Sequence, residues 1–203
     1  MRATPESPRM FDNEILDRLS RTPWWTVPLI WIPGSIAFFL VGVIHHQLDL
    51  LPAVGLALAG WFVWTFTEYI LHRALFHWQP GGVWGERMHF WVHGVHHRWH
   101  QDRYRLVMPP SVSLLLGTLF GTGFYVLAGV LGILTWFWPF YAGFLFGYMV
   151  YDVAHYAIHH LKFKGRAFQA LKKHHLLHHH SPKHADRKFG VSTMLWDHVF
   201  RTY

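Results

Sequence analysis

The sequence predicts an all-α integral membrane protein, with four transmembrane helices in two hairpins capped by a cytoplasmic helical layer. Three observations carry that expectation. Hydrophobic residues make up 52% of the 203 residues and charged ones only 14%, against about 25% charged in an ordinary soluble domain. Four apolar stretches are long enough to cross a bilayer, which takes about 20 residues. The chain also holds 19 histidines, nearly all of them on one side of those stretches.

The first apolar stretch runs from about Trp25 to Ile44 and the second from about Leu50 to Leu71. The third runs from Val112 to Leu134 and the fourth from Trp136 to Ile158. Short turns join the first to the second and the third to the fourth, so each pair reads as a helical hairpin. Pro33, Gly34, Gly55, Gly60, Gly121 and Gly123 are tolerated in lipid-embedded helices, where small residues permit close packing. A soluble bundle is the alternative, yet soluble cores seldom need four such spans in so short a chain. The 12 Trp and the 18% aromatic share suit helix ends at membrane interfaces. Residues 1–24 read as a cytoplasmic N-terminal segment and residues 25–203 as one membrane-embedded domain. The polar first 23 residues predict no secretory signal.

Charge orients the spans. Arg2, Arg9, Arg18 and Arg21 precede the first span, and Arg73, Arg87, Arg98, Arg103 and Arg105 lie between the second and third. The other Lys and Arg, from Lys162 to Arg201, follow the fourth, and neither hairpin turn has any. The positive-inside rule therefore places both termini and the central loop in the cytoplasm. The chain would sit in a bacterial inner membrane, or in the endoplasmic reticulum of a eukaryote. The formal net charge of +7 on so apolar a chain points to an anionic membrane surface rather than to nucleic acid. With no cysteine, disulfides, iron–sulfur clusters and thiolate metal sites are excluded.

Histidine sorts the same way, since only His45 and His46 fall on the far side. A purification tag does not explain the abundance, because the longest run, His178–His180, is internal. Residues three and four apart share a helix face. His93, His96 and His97 can therefore converge, as can His175, His178 and His179, and His155 with His159. His72 and His77 lie about 140° apart on an ideal helix. They meet at one ion only if the helix loosens or ends between them, and the breaker Trp78-Gln79-Pro80-Gly81-Gly82 predicts an end. These ten imidazoles exceed what one ion takes, which predicts a dimetal site with roughly five each. Imidazole suits iron, zinc, copper and nickel alike, and five on an octahedral ion leave one position open. Isolated histidines such as His184 and His198 read as surface or supporting residues. Metal-bound histidines commonly donate their second ring N–H to a carboxylate. Glu68, four before His72, and Asp152, three before His155, are spaced for that role.

The pattern His72-x4-His77, His93-x2-His96-His97, His155-x3-His159 and His175-x2-His178-His179 resembles the fatty acid hydroxylase/sterol desaturase superfamily. Within it, the surrounding residues are most similar to the fatty acid 2-hydroxylases. Those residues are Trp24-Trp25-x-Val27-Pro28, Glu68 to Arg73, Arg105 to Pro110, Tyr151-Asp152-x2-His155-Tyr156, Phe189 to Thr193 and Leu195-Trp196-Asp197. The resemblance spans residues 24–202. It implies 2-hydroxylation of a fatty acyl chain, free or in a sphingolipid or ceramide, at a histidine-ligated centre of two metal ions. Iron is the metal expected for activity, with zinc able to fill the site in preparations, and dioxygen is the co-substrate. The ten histidines carry over as ligands, and His160 and His174 as supporting candidates. Some relatives carry a fused cytochrome b5 domain, for which this chain has no room. A separate electron donor, cytochrome b5-like or ferredoxin-type with its reductase, is therefore expected. His100, His180 and Arg201 stand where the family usually has Pro, an aromatic and Gly. None is a proposed ligand, so the departures bear on substrate choice.

Two other readings stay open at this point. A desaturase, sterol oxidase or carotenoid hydroxylase would share the histidine pattern, although the 105–110 and 189–197 stretches favour the acyl 2-hydroxylase. A membrane metal transporter would place its ligands midway through the bilayer at broken helices, whereas these lie at or beyond the helix ends.

Overall fold

The structure, a computed structural model, describes Ser7 and residues 9–203. Arg2, part of the charge reading, lies outside the described residues. Among the described residues all regular structure is helical and no strand occurs. The α-helices are α1 (Glu14–Leu19), α2 (Thr26–Leu40), α3 (Leu50–Ile70), α4 (Gly82–His89), α5 (Val95–Arg98), α6 (Pro110–Val130), α7 (Leu134–His160), α8 (Arg166–His180) and α9 (Leu195–Val199). Wider π-helical turns extend α2 over Val41–His45, α3 over Leu71–Phe76 and α4 over Phe90–Gly94. The chain divides into two compact units. One contains residues 25–65 and 108–152, and the other contains the chain through Trp24 together with 66–107 and 153–203.

The first unit is apolar and built from long helices. Three helical stretches, Thr26–His45, Leu50–Phe76 and Pro110–Val130, are long and apolar enough to cross a bilayer, which marks a membrane protein. Their outward positions carry Leu29, Leu51, Leu58, Leu115, Leu119 and Val130, all more than half exposed, as lipid-facing side chains would be. At 27 residues α7 has the length, but Tyr141, Tyr148, Tyr151, Asp152, His155 and His159 interrupt its apolar run.

Close backbone approach holds this unit together. A Cβ on Gly60 would stand 1.8 Å from the Phe140 carbonyl oxygen, and one on Gly143 1.8 Å from that of Ala57. Only glycine lets α3 and α7 come so near, and the contact is the small-residue packing that replaces hydrophobic driving force inside lipid. Around the seam, rings meet edge to face: Trp31 with Tyr148 at 5.4 Å, Trp64 with Tyr148 at 5.3 Å and Phe124 with Phe144 at 5.0 Å. Tyr141 donates its hydroxyl to the Gly117 carbonyl of α6, so a buried polar group is satisfied where water is scarce.

The second unit is built around buried polar contacts. Asn13 caps α1 by accepting from the amides of Ile15 and Leu16, satisfying donors that the first turn leaves open. Asp17, on α1, accepts from the amides of Met10 and Phe11 and pairs with Arg21. Arg105 reaches the same carboxylate at 2.9 Å and touches Asp102 at 3.5 Å. The Thr22 amide donates to the Tyr104 carbonyl at 2.6 Å. Together these bonds seat the N-terminal segment on the 102–107 stretch, which accounts for the arginine in the Arg105–Pro110 motif. At the other end, α9 packs on the end of α3. Phe66 meets Trp196 at 4.8 Å, and Tyr69 stacks on Phe200 at 5.3 Å while its hydroxyl lies 3.0 Å from that of Thr202.

The side chains of Asp17, Arg21 and Arg105 are all at least nine-tenths buried. Removing one partner of a buried ion pair costs about 3–5 kcal/mol because the remaining charges lose their counter-charge. Asp17→Ala is therefore expected to lower the thermal unfolding midpoint of the detergent-solubilised protein, whereas Glu14→Ala, whose pair with Arg18 is exposed, should leave it nearly unchanged, since such a pair contributes only about 0.5 kcal/mol. Equal midpoints for the two variants would overturn this account.

Candidate metal centre

Ten histidine side chains of the second unit gather their ring nitrogens in two groups of five. The first group holds His72, His77, His93, His97 and His178; the second holds His96, His155, His159, His175 and His179. Within each group one nitrogen per residue lies within 4.8 Å of all the others.

Helical geometry explains how each pattern is divided. Residues four apart, His93 with His97, His155 with His159 and His175 with His179, fall in the same group. The residue three along goes to the other, so His96 leaves His93, and His178 leaves His175. The full convergence expected of each triplet is therefore corrected. Positions i+3 and i+4 differ by about 100°, enough to serve two sites from one helix when the sites lie side by side. His72 and His77 meet because α3 both loosens and ends between them. The His77 amide donates to the His72 carbonyl, five residues back, at 3.3 Å. That wide turn brings the two rings to 5.1 Å, and His77 closes the helix. Such single π turns occur often at functional sites.

The donor set fits a cation. In the second group, Nε2 of His175 lies 3.0 Å from each of three others, those of His155, His159 and His179. One nitrogen carries at most one proton, so these contacts cannot all be hydrogen bonds. Nε2 of His96 lies 3.1 Å from that of His155 and 2.9 Å from that of His179. His155, His96, His179 and His175 thus form a closed four-membered ring with edges of about 3 Å. Ligands about 2.1 Å from an ion stand about 3.0 Å apart at right angles, and about 3.4 Å apart in a tetrahedron. The observed edges match the right-angle case. In the first group the corresponding separations are 3.1 Å for His72–His93, 3.0 Å for His93–His97 and 3.0 Å for His77–His178.

Burial keeps these imidazoles neutral, hence able to donate lone pairs. His77 and His97 are pushed down to about 3, first by burial and then by the neighbouring His178. Burial likewise holds His93, His96 and His175 well below the ordinary histidine range.

The far nitrogens of the first group are oriented by backbone. Nδ1–H of His72 donates to the Phe189 carbonyl at 2.6 Å, and Nδ1–H of His178 to the Arg187 carbonyl at 2.7 Å. Both bonds fix the tautomer that turns Nε2 inward. The accepting loop is itself held by two carboxylates. Asp197 accepts from the amides of Phe189 and Gly190, from His174 at 2.9 Å and from the Thr202 hydroxyl. Glu68 accepts from the amides of Val191 and Ser192 and from the Ser192 hydroxyl.

The spacing argument is thereby corrected for both carboxylates it singled out. Glu68 does not take the N–H of His72; it grips the loop whose carbonyl does. Asp152 accepts from the Met108 amide at 3.0 Å and the Tyr148 hydroxyl at 2.9 Å, so its bonds fix the entry to α6 and reach no histidine. His174 supports the loop through Asp197. His160 rests against the Tyr156 ring at 4.6 Å, with no hydrogen bond at its Nε2. Asp197 had no assigned role in the sequence reading. Its available signals are its place in the Leu195-Trp196-Asp197 stretch and a carboxylate among mostly apolar neighbours, where it is wholly buried. Two departures from the family pattern, His100 and His180, pack together at 4.8 Å.

Helices long enough for a bilayer and two groups of five imidazoles that could each hold a metal ion define a histidine-rich membrane protein. Comparison with known proteins narrows the class. The fatty acid hydroxylase family model matches residues 57–202, and the chain belongs to that family. It is 37% identical to a dihydroceramide fatty acyl 2-hydroxylase of Arabidopsis thaliana, over 97% of this chain and 80% of the relative. It is 41% identical to a ceramide very long chain fatty acid hydroxylase of Saccharomyces cerevisiae, over 96% of this chain and 49% of the relative. The fatty acid 2-hydroxylase of Homo sapiens is 33% identical over 96% of this chain and 56% of its own. A solved structure of full-length Scs7p, in which only the hydroxylase domain is visible, superposes with a TM-score of 0.86 at 39% identity, covering 95% of this chain and 70% of that one.

Two expectations follow from the loop and the two groups. Asp197→Asn should weaken metal binding by about 10- to 100-fold, the usual cost of losing an outer support, measured by competition with a chromophoric chelator; unchanged affinity would remove the loop from the account. His77→Ala and His179→Ala, each taken from a different group, should each lower bound metal by about half as read by elemental analysis, if each group holds one ion. Loss of all metal from either variant would mean that the groups do not fill independently.

Proposed function

We propose that the chain hydroxylates carbon 2 of a fatty acyl chain, free or within a sphingolipid or ceramide, at a centre of two metal ions held by the ten histidines. What carries the reading is the pair of five-imidazole nests in a chain whose relatives bear the names of acyl and ceramide 2-hydroxylases. Iron is the metal expected for activity, and zinc can fill the same imidazoles. The bound metal would supply the oxidising chemistry with dioxygen, one oxygen atom entering the C2–H bond and the other leaving as water with two electrons and two protons. Five imidazoles on an octahedral ion leave one position open, as the right-angle nitrogen edges allow.

The remaining roles belong to the chain's own residues. His72 and His178, fixed through Phe189 and Arg187, hold their side of the centre in place before any substrate arrives. Glu68 and Asp197 keep the loop from yielding. The neutral imidazoles shed no proton when a cation enters, so binding does not compete with protonation near neutral pH.

The reading includes a topology. With α7 as a fourth span, all the Lys and Arg lie on one side, which puts both termini and the ten grouped histidines on the cytoplasmic side. Electrons then come from a cytoplasmic donor of cytochrome b5-like or ferredoxin type, with its reductase. An acyl chain lies in the same bilayer as the spans, so the substrate need not leave lipid to reach the site.

Cells expressing the chain, supplied with iron, should accumulate 2-hydroxy fatty acids detectable by mass spectrometry after lipid hydrolysis. His96→Ala and His178→Ala, one from each group, should each reduce that product to background. Full product from either variant would sink the assignment, and hydroxylation at another carbon would redirect it to another lipid oxidase.

A further inference from the structure

The six residues between α7 and α8 have a composition that the metal centre does not require. Leu161, Lys162, Phe163, Lys164, Gly165 and Arg166 alternate apolar and basic side chains. Leu161 is 39% exposed and Phe163 54%, and both lysines and Arg166 are exposed as well. Neither alternation nor exposure would matter in a loose loop, but this segment is clamped. Lys172 donates to the Leu161 carbonyl at 2.9 Å, and Gln169 donates to that of Phe163. The Phe163 ring meets Phe168 edge to face at 5.2 Å. The non-helical stretch between the end of α7 and the Gly165 cap of α8 is thus held by α8 itself, with its apolar side chains exposed.

Exposed leucine and phenylalanine interleaved with cations are what a phospholipid interface recognises. The rings and aliphatic chains enter the headgroup boundary while the ammonium groups meet lipid phosphates and carboxylates. The flanking charges are one-signed, since no acidic residue occurs from Val153 to Ala185. We propose that residues 161–166 are an interfacial anchor for an anionic phospholipid surface, and that through Lys172 and Gln169 the anchor sets the depth of α8. His175, His178 and His179 lie on that helix. Carbon 2 of an acyl chain adjoins the carbonyl at headgroup level, so a centre held at this depth meets that carbon rather than one deeper in the bilayer. This consequence rests on the 2-hydroxylase reading and on α7 as a span; the anchor is tested without reading product.

The chain has no cysteine, so one introduced residue takes one spin label. A Cβ at Gly165 meets nothing within 4 Å, and Gly165→Cys leaves the proposed contacts intact. The labelled full chain would be placed in vesicles of phosphatidylcholine, with or without about 30% phosphatidylserine. Asp186→Cys, at an exposed position of the same unit, serves as the water-facing control. With phosphatidylserine, collisions at 165 with oxygen should rise over those with a water-soluble nickel chelate, severalfold relative to 186. Added Lys162→Glu and Lys164→Glu should reduce that ratio by about fivefold per lysine, given the attraction of each basic residue to an anionic leaflet. Phe163→Ser should reduce it in both lipid mixtures. A label at 165 as open to nickel as that at 186, or a ratio indifferent to phosphatidylserine and to charge reversal, would overturn the anchor. Either result leaves the hydroxylase reading standing, because that reading depends on product and not on the label.

Discussion

Everything in the second unit is arranged around one electrostatic constraint: ten neutral imidazoles present lone pairs to one another at about 3 Å. Such nitrogens repel unless a proton or a cation lies between them, and there are too many contacts for the available protons. A cation held between them would relieve that repulsion. Four chain segments share the task, and no short peptide could supply all ten groups.

Two devices meet the constraint. One is local: the π turn at the end of α3 changes the angular spacing of its histidines so that His72 and His77, five apart, could face one ion. The other is long-range. The 187–192 loop offers carbonyls to His72 and His178, and Glu68 and Asp197 hold that loop by its amides. A carboxylate touching a ligand directly would add negative charge at the centre, whereas a carbonyl orients the ring with a dipole only. Glu68 thus acts one bond further out than spacing suggests.

The membrane unit answers a different problem. Lipid offers no hydrogen bonds and little driving force for helices to associate. Gly60 and Gly143 remove the side chains that would keep two helices apart, and aromatic rings fill the rest at favourable angles. Buried polar groups such as the Tyr141 hydroxyl and the Asp152 carboxylate find partners within the unit. Asp152 shows how a polar residue inside an apolar helix can fix the entry to a neighbouring one.

The sequence by itself determined the helical class, the apolar stretches, the one-sided charge and the ten histidines, because each is written in local spacing or composition. Hydropathy is a property of a window, and a face shared at three or four residues is a property of one helix. Only the tertiary structure decided how the ten divide, since membership depends on which side of a helix the next one packs against. It likewise decided the partners of Glu68 and Asp152, and the part played by Asp197. Glu68 finds its loop more than 120 residues away, and no periodicity reports a contact made across that distance. Proximity along the chain was a sound guide to which histidines share a helix and a poor one to where a carboxylate's hydrogen bonds go.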